Sequence, residues 1–127
     1  MKVFLGGTCG KSNWREYLIS KLNIDYFNSV VDDWTQECIA EENKQKEICG
    51  YNLFVITYEM KGVYSIAEVV DLSNKKPAGT ILCILEDGFN DGEIRSLNAV
   101  YDLVKKNGST VFKSLDDVIY FLNKERE

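Results

Sequence analysis

The sequence predicts an α/β protein with a doubly wound, five-stranded parallel sheet, strand order 2-1-3-4-5, and helices on both faces. Short apolar runs alternate five times with segments of helical periodicity along the 127 residues. One of these runs, Thr80–Leu85, is continuously apolar, which favours a strand buried on both faces. Glycine-bearing loops follow the first and third strands, where the direction of winding reverses and such sheets bind ligands. The length favours a single domain spanning residues 1–127.

The first two strand-helix units come before residue 49. Lys2–Leu5 is a short apolar strand, and the loop Gly6–Ser12 leads into a helix with Ser12 as the expected N-cap. The apolar residues of that helix are Trp14, Tyr17, Leu18 and Leu22. Ile24–Val31 is the second strand. Thr35–Ile48 is polar but rich in helix formers, so it predicts a second helix with a thin apolar face.

The third unit carries the main candidate residue. Asn52–Ile56 is rich in Phe, Val and Ile and too short for a helix, so it predicts a buried strand. The glycine-bearing turn Thr57–Ser65 follows, and then a helix whose apolar positions are Ile66, Val69 and Val70. This spacing places Glu68 in the first turn of the helix. The turn and the loop Gly6–Ser12 are expected to meet at the switch-point crevice.

The last two units complete the sheet. Thr80–Leu85 is the fourth strand, and the helix after it ends at Gly108. Thr110–Phe112 is the fifth strand, and Ser114 caps the last helix. The inward residues of these two helices are Ile94, Leu97, Tyr101, Val104, Leu115, Val118, Ile119 and Leu122.

Charge and composition exclude several classes of function. The net charge is −5 and the 15 basic residues are scattered, which argues against a nucleic-acid-binding surface. The chain has no histidine. Because histidine is the commonest general base and a common zinc ligand, any catalysis is expected to rest on carboxylates, tyrosines, lysines or thiols. We expect no metal site.

Cysteine spacing predicts reduced thiols, and hydropathy predicts no membrane-spanning segment. The four cysteines have no CxxC spacing, which predicts reduced thiols, and Cys9 is either a reactive thiol in the first loop or a small filler residue. Met1–Gly7 lacks the long apolar core of a signal peptide, and no apolar run could span a bilayer. We therefore expect a cytoplasmic protein without a membrane partner.

The loop Gly6–Ser12 allows three interpretations. It nearly matches the phosphate-loop pattern GxxxxGK[ST] but is one residue short, because the glycine is Gly6 where the pattern requires position 5. A looser interpretation has its backbone N–H groups and the following helix N-terminus facing an anionic or hydroxyl-rich ligand. The third is a glycine turn that only the fold requires.

Glu68 also has a structural alternative. Ser65-Ile66-Ala67-Glu68 fits a capping box, in which Ser65 caps the helix and Glu68 reaches back to it. The functional hypothesis is that the helix N-terminus keeps the Glu68 carboxylate ionised at the mouth of a nucleotide-type pocket. Both interpretations remain open at the level of sequence.

Several segments together resemble the nucleoside 2-deoxyribosyltransferase-like family over roughly residues 2–85. They are VFLGGT from Val3, NWR from Asn13, Phe27–Asn28, VVDDWT from Val30, Met60, and GVYSIAEVVD from Gly62. The resemblance implies a flavodoxin-like fold and the breaking and remaking of N-glycosidic bonds by a glutamate in the position of Glu68. It implies no metal and no tightly held cofactor. Relatives often complete their pockets with a neighbouring subunit, so a homo-oligomer is one expectation, and the oligomeric state stays open at the level of sequence.

The same resemblance assigns the ligand-contacting positions. Gly6, Gly7 and Thr8 are expected on the sugar or phosphate side, with Asn13 and Arg15 close behind. Further expected contacts are Asp32, Asp33, Trp34, Met60, Gly62 and Ser65. Trp34 could stack on a base, Asp33 could instead be the N-cap of the second helix, and Met60 could simply fill a gap. Relatives hold a further acid shortly before the nucleophile, and here the only other acid between Thr57 and Glu68 is Glu59.

Two functions from different classes follow as expectations. The first is an enzyme that cleaves or transfers the N-glycosidic bond of a nucleoside, nucleotide or NAD-like substrate, with Glu68 as nucleophile. The second is a non-catalytic module that senses or sequesters a nucleotide-derived signal in the same pocket. A nucleotide-kinase-like or purely structural domain is the remaining alternative.

Overall fold

A computed structural model describes residues 1–10, 12–29 and 35–124 and contains one five-stranded, all-parallel sheet in the order β2-β1-β3-β4-β5. The strands are β1 (Lys2–Gly7), β2 (Asp25–Asn28), β3 (Tyr51–Ile56), β4 (Thr80–Ile84) and β5 (Thr110–Phe112). The helices are α1 (Trp14–Lys21), α2 (Gln36–Ile48), α3 (Tyr64–Lys75), α4 (Asp91–Lys106) and α5 (Leu115–Lys124), with a 3-10 turn at Pro77–Gly79. The flavodoxin-like arrangement and the strand order predicted from sequence are confirmed.

The three central strands carry the core. In register, Leu5 of β1 lies beside Asn28 of β2 and Leu53 of β3, and Leu53 lies beside Ile81 of β4. Side chains alternate across the sheet. Leu53 packs in a cluster with α1 and α5 residues, whereas Phe54 packs in a cluster with α3 and α4 residues. Both faces of the sheet are therefore covered, which explains the continuous apolar runs.

Helix starts differ from the predictions in three places. Asn13 rather than Ser12 is the N-cap of α1, without a side-chain cap hydrogen bond. Thr35 caps α2, since its hydroxyl accepts a hydrogen bond from the N–H of Cys38, so the capping alternative for Asp33 is wrong. Val63 is the N-cap of α3. The predicted cap of the last helix is confirmed, because the Ser114 hydroxyl accepts from the N–H of Asp117 at 3.1 Å.

Helix α2 is attached to the sheet mainly through polar contacts. Of its 13 residues, Gln45 is the buried one, which confirms the thin apolar face. The Lys76 ammonium donates to the carbonyls of Lys46, Glu47 and Cys49 at 3.0–3.4 Å, at the C-terminal end of α2. A cation there satisfies carbonyls that have no partner within the helix.

Among the helices described, none is long and apolar enough to cross a bilayer.

Candidate functional site

The end of β1 lies unusually close to β3. A Cβ on Gly6 would lie 2.7 Å from Cε1 of Phe54, and a Cβ on Gly7 would lie 2.2 Å from the carbonyl oxygen of Val55. Gly7 also has a φ of +109°. A larger residue at position 6 would displace the buried Phe54 ring, and one at position 7 would displace the backbone of β3. The fold itself therefore requires both glycines, as the third interpretation of the loop proposed.

Thr8 joins the carboxyl ends of β1 and β3. Its N–H donates to the carbonyl of Val55 at 2.8 Å, and its hydroxyl accepts from the N–H of Thr57 at 2.9 Å. The indole N–H of Trp14 donates to the Thr8 carbonyl at 2.8 Å. Trp14 is 2 % exposed, so it belongs to the core, as its place on the apolar stripe of α1 predicts. These bonds fix the loop at the rim of the crevice.

Arg15 is buried beneath this loop. Its Nη1 donates to the carbonyl of Leu5 at 2.6 Å and to Oδ1 of Asn28 at 2.9 Å, and Nη2 contacts the Gly7 carbonyl at 3.4 Å. The guanidinium stacks 4.4 Å from the Trp14 ring centroid, and burial lowers the pKa of Arg15 from its usual value. With 7 % of the residue exposed, its donors hold β1 and β2 together. A direct substrate contact by Arg15 stays a prediction.

A cavity of about 620 Å³ opens at the carboxyl ends of β1 and β3, and we call it the loop cavity. Its lining is Gly7, Thr8, Cys9, Gly10, Ile56, Tyr58, Glu59, Met60, Lys61, Gly62, Tyr64 and Ser65. The volume is within the range that small-molecule sites occupy. Its position is the switch-point crevice that the strand order predicts.

The turn after β3 brings a carboxylate to the loop cavity. The Thr57 hydroxyl donates to Oε1 of Glu59 at 3.2 Å and accepts from the Glu59 N–H at 3.3 Å. Met60 is half-buried against the α3–α4 side of the core and lines the cavity as well. Glu59 is thus the acidic side chain of this cavity among the described residues. Met60 contacts both the core and the cavity.

Glu68 lies two residues further along α3 than the sequence predicts. The helix begins at Tyr64 with Val63 as its cap, and its first turn contains no acid. Glu68 is therefore in the second turn, and the capping-box alternative with Ser65 is wrong. The prediction failed because a serine three residues before a glutamate is only one of several ways to start a helix. Here the backbone turns at Val63 without any side-chain cap.

The Glu68 carboxylate faces a second cavity, of about 690 Å³, between α2 and α3, which we call the helix cavity. Its lining is Asn43, Lys46, Glu47, Tyr64, Ala67, Glu68, Asp71, Leu72, Lys75 and Lys76. Oε2 of Glu68 lies 2.7 Å from Nζ of Lys46, and the two side chains are 16 % and 15 % exposed. A carboxylate in this setting is partly shielded yet reachable from the cavity.

Tyr64 lines both cavities. It precedes Glu68 by four residues, so the two side chains lie on the same face of α3, about 6 Å apart along the axis. The Tyr64 side chain is exposed. A ligand that contacts Tyr64 would therefore have the loop cavity on one side and the Glu68 carboxylate on the other.

Six of the nine predicted site residues that the structure describes line one of the two cavities. Gly7, Thr8, Met60, Gly62 and Ser65 share the loop cavity, and Glu68 lines the adjoining helix cavity. Three further described candidates line neither cavity: Gly6, Asn13 and Arg15. Asp32, Asp33 and Trp34 lie outside the described residues, as does Lys11 of the near phosphate loop.

Sequence reasoning missed three residues of this region: Lys46, Tyr58 and Tyr64. Tyr64 carries a usable signal, because four-residue spacing places it on the Glu68 face of any helix. Tyr58 follows the third strand directly, where a parallel sheet binds ligands. Lys46 has no such signal, since 22 residues separate it from Glu68 and only the docking of α2 brings the pair together.

No group of three or more Cys, Asp or Glu residues in the described ranges could hold a metal ion.

A comparison with protein families identifies a relationship over more than half of the chain. The family model described as nucleoside 2-deoxyribosyltransferase-like matches residues 1–87, which include the loop after β1, all of α3 and Glu68. No curated protein and no solved structure matches the chain. The match ends before α4, whereas β5 continues the same sheet.

Proposed function

This chain belongs to the nucleoside 2-deoxyribosyltransferase-like family, and we propose that it cleaves or transfers the N-glycosidic bond of a nucleoside, nucleotide or NAD-like substrate. The family suggests nucleoside glycosyl transfer. The specific step that we propose uses Glu68 as the nucleophile, within one domain spanning residues 1–127. Hydrolysis and transfer differ only in whether water or a second base accepts the sugar.

The position of the Glu68 carboxylate is the observation that carries this proposal. It is 16 % exposed, borders a cavity large enough for a nucleoside, and lies within the segment that matches the family. The neighbouring Lys46 ammonium supports a negative charge at this position. An anion close to the anomeric carbon stabilises the positive charge that develops there as the base departs.

The proposed reaction has two displacements. In the first, a Glu68 oxygen forms a bond to C1′ while the C1′–N bond breaks, and its electron pair leaves with the base, which takes up a proton. In the second, water or another base bonds to C1′ while the ester C–O bond breaks, and the electron pair returns to Glu68. The acceptor loses the proton, so atoms and charge balance over the cycle. Glu59 is our candidate proton donor to the leaving base.

Residues that line the loop cavity are proposed to contact the ligand. Thr8 and Ser65 offer hydroxyl groups in the loop cavity, and Tyr58 and Tyr64 offer aromatic faces at its edge. Gly62 leaves room, because a Cβ there would meet nothing within 4 Å. We propose that the base occupies the loop cavity and that the sugar lies across Tyr64 towards Glu68.

Free-base release tests the proposal directly. The protein is incubated with 2′-deoxyadenosine, 2′-deoxycytidine, thymidine, their 5′-monophosphates and NAD, and free base is followed by chromatography. We expect release by the unaltered protein and a loss of at least about 1000-fold in Glu68→Ala, since nucleophile removal is among the largest single effects on an enzyme. Asp102→Asn, an exposed acid on α4, is the matched control. Equal release by Glu68→Ala and the control would refute the role of Glu68.

A binding module is the second candidate, and one observation favours it. Glu68 does not line the loop cavity, so a ligand held there by Thr8, Met60 and Gly62 could remain intact. The expected signature is an increase in thermal midpoint with a member of the same panel and no free base. Gly62→Trp, which would fill the loop cavity, should abolish that increase. Product formation would exclude this candidate.

A further inference from the structure

We propose that Lys46 is a positioning residue for the glycosyl chemistry, holding one oxygen of Glu68 so that the other attacks and favouring breakdown of the covalent intermediate. This inference rests on the proposed function of Glu68. It assigns to α2, a helix outside the crevice, a specific part in the reaction. It also assigns the attacking atom.

The geometry separates the two carboxylate oxygens. Oε2 of Glu68 is engaged by Nζ of Lys46 at 2.7 Å. Among the described residues, no hydrogen bond reaches Oε1 of Glu68. One fixed oxygen restricts rotation of the carboxylate, and the unengaged oxygen is the one left to bond to C1′. Such preorganisation lowers the entropic cost of reaching the attacking geometry.

Lys46 itself is held in place through its backbone. Its carbonyl accepts from Nδ2 of Asn52 at 3.1 Å and from Nζ of Lys76 at 3.0 Å. Asn52 is fully buried in β3, at the centre of the sheet. The backbone that carries the Lys46 side chain is therefore bonded to β3, a central strand of the sheet. This arrangement suits a positioning role better than a chance surface contact would.

The other two lysines around the helix cavity are engaged elsewhere. Lys75 pairs with Asp71 at 2.9 Å, and Lys76 binds carbonyls of α2. Glu47 also lines the cavity, and the neutral polar side chains there are those of Asn43 and Tyr64. Within the described residues, Lys46 is thus the cation in direct contact with Glu68. Removing it would leave the carboxylate without that partner while the remaining pairs stay in place.

The chemistry makes the effect of Lys46 directional. Forming the glycosyl ester neutralises the Glu68 carboxylate, and breaking the ester restores its charge. An adjacent ammonium stabilises the charged form, so it disfavours accumulation of the ester and favours its breakdown. The Lys46 ammonium also repels the positive charge that develops at C1′. Because this repulsion slows both displacements to a similar extent, it changes the ratio of their rates little. Lys46 therefore sets how much intermediate builds up.

The test measures that intermediate. The protein is mixed with the panel nucleoside that it cleaves fastest, quenched in acid, and the fraction carrying a sugar adduct on Glu68 is determined by mass spectrometry of peptides. In Lys46→Met the ratio of adduct to free protein should rise about fivefold, because the neutral side chain no longer favours the charged carboxylate over its ester. Lys46→Arg, which keeps the charge, should remain within about threefold of the unaltered protein.

Lys44→Met is the matched control, because Lys44 is an exposed lysine on the same helix that lines neither cavity. It should show unaltered adduct levels. Circular dichroism and the thermal midpoint establish that each variant is folded. Should Lys46→Met fail to fold, Lys46→Gln removes the charge while keeping a donor, and the same rise is expected.

The outcomes separate the two proposals. Turnover that depends on Glu68, with no more adduct in the neutral Lys46 variants than in Lys44→Met, would overturn the role of Lys46 and leave the function of Glu68 standing. Turnover that does not depend on Glu68 would overturn both. A purely structural role for Lys46 predicts a lower thermal midpoint without a change in the adduct ratio.

Discussion

The hydroxyl of Thr8 accepts a 2.9 Å hydrogen bond from the backbone N–H of Thr57, which joins the end of β1 to the end of β3. Thr8 and Thr57 are 4 % and 5 % exposed, so water has little access to replace this bond. Both loops that border the loop cavity begin at this contact. The distance between them is therefore set by this side-chain bond together with the backbone bond from the Thr8 N–H to the Val55 carbonyl.

Replacing Thr8 tests that bond. Thr8→Val keeps the shape of the side chain but leaves the buried N–H of Thr57 without its acceptor, and we expect a loss of about 1–3 kcal/mol in the free energy of unfolding. Thr8→Ser retains the hydroxyl and should lose less than about 1 kcal/mol. Urea denaturation measures both. Equal losses in the two variants would mean that the methyl group, rather than the hydrogen bond, stabilises this contact.

Two glycines of the loop cavity, Gly7 and Gly62, should differ sharply in how well they tolerate replacement by alanine. Gly7→Ala places a Cβ 2.2 Å from the Val55 carbonyl oxygen at a φ of +109°, so we expect at least about 3 kcal/mol of destabilisation or no soluble protein. Gly62→Ala meets nothing within 4 Å and should remain within about 0.5 kcal/mol of the unaltered protein. Thermal and urea unfolding compare the pair. A tolerated Gly7→Ala would contradict the close approach of β1 and β3.

Arg15 should contribute chiefly to stability. Arg15→Met removes the donors to the Leu5 carbonyl and to Asn28 but keeps much of the apolar stem, and we expect a loss of about 2 kcal/mol in the free energy of unfolding. Arg15→Lys should recover only part of it, because an ammonium lacks the planar fork. Arg95→Met, at an exposed position on α4, is the control. Weaker ligand binding by Arg15→Met at unchanged stability would indicate a substrate contact instead.

Cys83 should make the protein less stable in alkali. Burial raises the pKa of this fully buried thiol to about 12 in the folded state, from an ordinary value of 9.0. Between these values the unfolded chain releases the proton and the folded chain keeps it. The thiol's contribution to stability is therefore complete below pH 9 and falls as pH rises, by about 1.4 kcal/mol per unit.

Urea denaturation at pH 8, 9 and 10 measures this slope in the unaltered protein and in Cys83→Ala. The alanine variant will be less stable throughout because of the cavity, but its stability should fall less steeply with pH. Parallel slopes would show that other groups cause the alkaline loss of stability. Tyr101 is one such group, because burial raises its pKa as well.

The sequence predicted the sheet well because its central strands are short, apolar and buried on both faces. Two of these apolar runs are too short to form helices: Thr80–Leu85 and Asn52–Ile56. Their alternation with helical segments predicts that the strands run parallel. The edge strand β2 was predicted less accurately, as Ile24–Val31 rather than Asp25–Asn28. Because its residues are mostly exposed, no change between apolar and polar residues marks the ends of this strand in the sequence.

The site was harder to predict because it depends on where helices begin and how they dock. Placing the cap at Ser65 rather than Val63 displaced Glu68 by two residues, from the second turn into the first, since local capping patterns do not register a start made by backbone geometry alone. The buried role of Arg15 follows from contacts with β1 and β2, which no spacing rule expresses. The Lys46–Glu68 pair likewise arises only from tertiary structure.

The polar attachment of α2 makes electrolyte concentration a variable of the chemistry. Dissolved ions screen partly exposed charges over about 8 Å at physiological strength, and this helix has little apolar area with which to resist loosening. Under the proposed function, two laboratories that use different buffers would then measure different turnover from the same preparation. Assays are best compared across a sodium chloride titration.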